Sequence, residues 1–137
     1  MKVESRNIWQ DGRKIKLHAV LEELSENFSC DSYLWSLLYF DGKGSPPANL
    51  SVPDLEDVVR SNPKGYLFSW AEVCDFAATL YDTNDCLIVA VKEEASLVKA
   101  ELDKDDFSRC EIVIDYHDST ILTLLMKDEA TLPESSV

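Results

Sequence analysis

Between Tyr66 and Lys92 the chain reads YLFSWAEVCDFAATLYDTNDCLIVAVK, and this stretch leaves little freedom of local structure. Ser69 and Glu72 stand in S-x-x-E spacing, where each side chain satisfies the other's otherwise orphaned backbone N–H, so a helix is predicted to start at Trp70. Phe68 before the cap and Val73 at the fourth helical position have the spacing of a hydrophobic staple. Trp70, Val73, Ala77 and Leu80 then recur on one helical face, flanked by Cys74 and Tyr81. Asp82 to Asp85 has turn chemistry. Residues 86–91 (CLIVAV) are apolar throughout, as in a strand covered on both faces.

The flanking segments supply partners for this helix and strand. Asp11-Gly12, between Ile8-Trp9 and Ile15, is a favoured tight-turn pair and predicts a short hairpin, in competition with a helix begun soon after Gly12. Leu17, Leu21, Leu24 and Phe28 fall at i, i+4, i+7 and i+11 and predict a helix over residues 16–28. Residues 33–40 (YLWSLLYF) read as a strand ended by Asp41-Gly42, and GKGSPPANLS as a surface loop. Pro53 opens a short helix capped at or near Ser51, with Asp54, Glu56 and Asp57 complementing its positive end. Asn62-Pro63-Lys64-Gly65 is a turn. Residues 93–107 are charged and moderately helical, with Leu97, Ala100 and Leu102 as apolar contacts. Residues 109–115 alternate inward Cys110, Ile112 and Ile114 with outward Glu111 and Asp115. After a tight connection at Tyr116-His117-Asp118-Ser119, residues 120–126 return as the partner strand. The segment after about residue 128 is expected to fray. Together these elements predict a single α+β domain over residues 1–137, a mostly antiparallel sheet with helices packed on one face.

Charge narrows the function. The 137 residues carry a net charge of −13, yet residues 1–20 hold five Lys/Arg against two Asp/Glu. Such an acidic surface repels nucleic acid and anionic lipid, so neither is expected as a direct partner, and a basic protein suits the field. No apolar run approaches the roughly 18 residues of a membrane span, and the first residues lack a signal-peptide core, so the expected compartment is the cytoplasm. Cys30, Cys74, Cys86 and Cys110 form no C-x-x-C pair and read as free, buried thiols.

Motifs for chemistry fail on inspection, and neither a catalytic residue, a cofactor nor a metal is expected. An EF-hand begun at Asp103 has Ser108 where the turn needs Gly and Ile114 where the bidentate Glu belongs. One begun at Asp82 has Leu87 at the sixth place. His18 and His117 are the two histidines, without Cys ligands at zinc-site spacing. G-x-S-x-G is absent, and Gly42 and Gly44 run into Pro46-Pro47 rather than a phosphate-cradling helix. Cys110 and His117 make a poor catalytic pair, one expected inward and the other in a turn.

Tyr33-Leu34-Trp35 leading to Asp41-Gly42, then Asn62 to Gly65 before Phe68-Ser69-Trp70, then Asp82 to Val89, form an order of elements on an acidic chain. Over residues 33–92 it resembles the small acidic immunity proteins of bacterial contact-dependent and other polymorphic toxin systems. The resemblance implies a non-catalytic inhibitor that binds one cognate basic toxin domain, often a nuclease. The carboxylates available to meet it are Asp54, Glu56 and Asp57, then Glu101, Asp103, Asp105 and Asp106, then Asp115 and Asp118, with Trp9 or Trp35 as an aromatic anchor. The alternative is a small cytosolic enzyme or ligand-binding domain whose site is scattered in sequence.

Overall fold

In the computed structural model, which describes residues 2–46 and 50–127, six strands form one sheet. They are β1 (Lys2–Asn7), β4 (Leu34–Lys43), β5 (Tyr66–Phe68), β6 (Asp82–Val91), β7 (Ile112–His117) and β8 (Ile121–Met126). Their order is β1-β8-β7-β6-β4-β5, and every neighbouring pair is antiparallel. The expected α+β domain is therefore present, with the β7–β8 hairpin beside the 86–91 segment. Trp9–Gln10 (β2) and Arg13–Lys14 (β3) form the small hairpin, with Asp11 and Gly12 both at positive φ. Hairpin and helix prove compatible: α1 (Leu17–Ser25) follows directly and buries Leu17, Val20, Leu21 and Leu24.

Helices α2 (Val52–Ser61) and α3 (Trp70–Thr79) join α1 on the same face of the sheet. Leu55 and Val59 of α2 and Val73, Phe76 and Ala77 of α3 enter one core with Trp35, Leu37, Ile88, Ile112, Ile114 and Leu122. The capping box forms as predicted: Glu72 N–H donates to Ser69 Oγ at 3.2 Å, and Ser69 N–H to Glu72 Oε1 at 2.8 Å. Ser51 Oγ likewise accepts from Asp54 N–H at 3.2 Å. The ring of Phe76 stacks on Phe68 at 5.6 Å and meets Phe40 edge-on at 5.4 Å, which locks α3 over β4 and β5. Two buried polar groups fix the surrounding chain: Trp35 Nε1 donates to the Cys30 carbonyl at 2.9 Å and Tyr116 Oη to the Ile15 carbonyl at 2.9 Å.

Several expectations need correction. Asp82 to Asp85 is not a turn but the first part of β6, because β4 does not stop at Asp41-Gly42. It continues to Lys43 through two register irregularities, giving Asp82 and Thr83 partners at Lys43 and Gly42. A Cβ at Gly42 would collide with the Asp82 carbonyl, so glycine permits the close pairing. Lys14 Nζ donates to Asp82 Oδ1 at 2.7 Å, which offsets the carboxylate's presence in a strand. Tyr66–Phe68, read only as the approach to the cap, is a three-residue strand paired with residues 35–37.

The 93–107 segment is less helical than its composition suggests. It holds a 3-10 turn at Glu94–Ser96 and the single-turn helix α4 (Lys99–Leu102). Asp105, at φ 57, takes the left-handed position that ends α4, with Asp106 N–H donating back to the Glu101 carbonyl at 2.9 Å. Ala100, expected to pack, is exposed, whereas Leu97, Leu102 and Phe107 cover part of the sheet face opposite the three longer helices. Cys110 joins that second cluster with Val89, Val91 and Val113 rather than sharing the face of Ile112 and Ile114, because β7 begins only at Ile112. Glu111, expected to point outward, is 3% exposed. The connection in β7–β8 is also tighter than expected: the strand runs through His117, and Asp118 and Ser119 both adopt positive φ. The expectation of a frayed tail after about residue 128 lies outside the described residues.

Candidate protein-binding face

Among the described residues, the second face of the sheet is covered over only part of its area. Side chains alternate along a strand, so Asp85 and Leu87 share the face of Val89 and Val91. Register carries that face across the neighbours, since Asp85 pairs with Asp41, Leu87 pairs with Tyr39 on one side and Asp115 on the other, and His117 follows Asp115 by two. Leu97, Leu102 and Phe107 cover the half around Val89, Val91 and Val113. The other half presents Asp41, Asp85 and Asp115, with Tyr39 55% exposed beside them.

These carboxylates interact. Partial burial pushes the Asp115 carboxyl above the usual range, nearby His117 opposes the shift, and the charges of Asp105 and Asp85 add to it. Asp85 is held in place by the turn, since its Oδ1 accepts from the Asp118 N–H at 2.8 Å. A cleft of about 350 Å³ adjoins this row between α2, β4 and α4. It shares Tyr39, Asp41 and Leu87 with the row and adds Glu56 and Asp103. It also contains Arg60 and Lys99, but each is held by a carboxylate of its own helix segment, Arg60 by Asp57 at 3.1 Å and Lys99 by Asp103 at 3.3 Å.

Of the carboxylates expected to meet a partner, Glu56, Asp105 and Asp115 thus come to one region, together with Asp103, which is paired with Lys99 there. The others do not form a single face with them. Asp54 sits in the first turn of α2, and Asp57 is committed to Arg60. Glu101 binds Arg109 at 2.8 Å, and the Ser108 side chain together with its N–H, which donates to Asp106 at 3.1 Å, draws the Asp106 carboxyl downward. Asp118 contributes its backbone to the turn. Sequence reasoning missed Asp41, Asp85 and Tyr39, because both aspartates resembled turn residues. The alternation Asp85-Leu87-Val89-Val91 was the available signal. Trp35 is fully buried and offers no anchor, while Trp9 is half exposed on a different part of the surface.

Among the described residues no group of three or more His, Cys, Asp or Glu side chains is placed to hold a metal, and no helix is long and apolar enough to cross a membrane. No family model matches the chain, and neither a curated protein nor a solved structure shows significant similarity to it.

Proposed function

We propose that the protein is a non-catalytic inhibitor of the immunity-protein kind, which occupies the cationic surface of a cognate toxin domain, a nuclease being the best chemical fit. The observation that carries this reading is the acidic row on the uncovered half of the sheet. Asp115 is held there partly desolvated and among like charges, an arrangement unfavourable in the isolated protein and relieved by an incoming Lys or Arg. A nuclease presents such cations where the phosphate backbone must lie, so carboxylates set on a rigid sheet compete for that surface. Tyr39, exposed between the row and the cleft, supplies the aromatic centre that durable binding requires.

The test is co-expression with the product of the adjacent gene, followed by purification and kinetics. A stoichiometric complex that suppresses that product's toxicity is expected, with association slowing at least about tenfold between low and physiological salt. Replacing Asp41, Asp105 and Asp115 together by Asn should slow association, and Tyr39→Ala should speed dissociation. A complex whose formation ignores both salt and these substitutions would overturn the assignment of this face.

A further inference from the structure

Three of the five Lys/Arg of the first twenty residues lie in or just after the β2–β3 hairpin. Arg13, Lys14 and Lys16 line a cleft of about 420 Å³ together with Trp9 and Tyr81, a size within the roughly 300–1,000 Å³ of small-molecule sites. Trp9 is 50% and Tyr81 74% exposed. The Trp9 ring is nevertheless fixed in place: its Nε1 donates to the Ser119 carbonyl at 3.1 Å, and Lys14 Nζ lies 5.5 Å from the ring centroid. An aromatic face that is both immobilised and left in water is preorganised for stacking.

The cations divide into two sets. Lys14 is committed, donating to Asp82 at 2.7 Å and to Asn84 at 3.1 Å. The side chains of Arg13 and Lys16 are exposed and make no hydrogen bond or ion pair among the described residues. Helix α1 starts at Leu17, in the wall of the same cleft, with neither a capping side chain nor a carboxylate in its first turn, so its positive end adds to the field.

Aromatic faces beside uncommitted cations suit a ligand that is planar at one end and anionic at the other. We propose that this cleft binds a mononucleotide, its base stacked on Trp9 and its phosphate held by Arg13 and Lys16. Arg13 can grip two phosphate oxygens at once. Two free cations match the charge of about −1.5 to −2 on a single phosphomonoester. A polynucleotide fits less well, because phosphates reaching beyond the cleft meet a molecule of net charge −13. This inference does not depend on the inhibitor reading, which concerns another face.

The experiment is a titration of ¹⁵N-labelled protein followed by ¹H–¹⁵N spectra. The ligands are the 5′-monophosphates of adenosine, guanosine, cytidine and uridine, the four nucleosides, inorganic phosphate, and a short oligonucleotide of each base. At least one monophosphate should shift the Trp9 indole N–H and the Arg13 and Lys16 amides saturably, with half-saturation below about 1 mM. Its nucleoside and inorganic phosphate should each bind at least tenfold more weakly. Trp9→Ala and Arg13→Ala should each weaken binding at least tenfold while the remaining resonances stay in place, which separates lost binding from lost folding. The proposal is overturned if none of the four monophosphates produces a saturable shift, or if either variant binds as tightly as the parent. It is equally overturned if the nucleoside or phosphate alone binds as well, or if the oligonucleotide binds more tightly than its monomer.

Discussion

Lys127 Nζ donates to Glu111 Oε2 at 3.1 Å, and the Lys127 backbone N–H donates to the Glu111 carbonyl at 3.0 Å. The Glu111 N–H in turn donates to the Ala90 carbonyl at 2.7 Å, so this one residue joins β6 to the end of β8 just before β7 begins. Its side chain is 4% exposed, and Lys92 approaches the other carboxylate oxygen at 3.9 Å. Removing one partner of a buried pair leaves charge uncompensated, whereas replacing both with apolar groups can be neutral. Lys127→Ala should therefore lower stability by about 1–3 kcal/mol in urea unfolding. Lys92→Ala, at a side chain 65% exposed, should cost less than about 0.5 kcal/mol. The double variant Glu111→Leu, Lys127→Met should be more stable than Lys127→Ala; a double variant less stable than the single one contradicts this account.

Gly65 and Gly12 both have positive φ, 73° and 76°, yet they should respond differently to alanine. A Cβ at Gly65 would run into the Leu37 carbonyl and the Ser36 hydroxyl, the latter already donating to the Lys64 carbonyl. At Gly12 it would meet nothing within 4 Å. Gly12→Ala should cost about 1 kcal/mol of backbone strain alone. Gly65→Ala should add displacement of the β4 backbone and cost at least about 2–3 kcal/mol. Equal thermal shifts for the two variants would refute the packing argument.

All four cysteines are free thiols, with Cys30, Cys86 and Cys110 buried and Cys74 half-buried. Burial pushes Cys30 up to about 12 and Cys110 to about 11, raises Cys86 strongly, and raises Cys74 as well. Reactive thiolate is thus scarce everywhere, and access decides the order of modification. Iodoacetamide at pH 8 should label Cys74 first. The other three should react only on unfolding, in proportion to the opened population. Mass mapping of early adducts at Cys86 would contradict the burial described.

Asp115 gives a prediction in pH. Its folded carboxyl binds a proton more tightly than in the unfolded chain, so protonation favours folding as pH falls through the folded value, and ionisation opposes folding above it. Asp115→Asn should raise the midpoint of urea unfolding at pH 7. The advantage should vanish below about pH 4, where the unfolded carboxyl is also protonated. Denaturation at both pH values checks it; a variant destabilised at pH 7 would show that this carboxylate is favourably solvated.

Local physics wrote much of this fold into the chain. The Ser69–Glu72 box, the Ser51 cap, the Asp11-Gly12 hairpin and the helical spacing of Leu17, Leu21 and Leu24 depend on neighbours within one or two turns. They were legible because the partners of each residue lie a few positions away. Asp41-Gly42 and Asp82 to Asp85 misled because their turn chemistry is real in isolation. In the fold, each segment supplies the other with the hydrogen bonds of a strand. The candidate face was hidden for the same reason.

Composition and periodicity by themselves determined the helix caps, the apolar faces, the closing hairpin and the α+β class, because each follows from backbone groups and side chains close in sequence. Tertiary structure alone decided that β4 and β6 run ten residues each, that Glu111 is buried against Lys127, and that Asp41, Asp85 and Asp115 share one open face. Those outcomes depend on strand partners distant in sequence, Asp41 opposite Asp85 and Asp115 opposite Leu87, whose juxtaposition no local preference encodes.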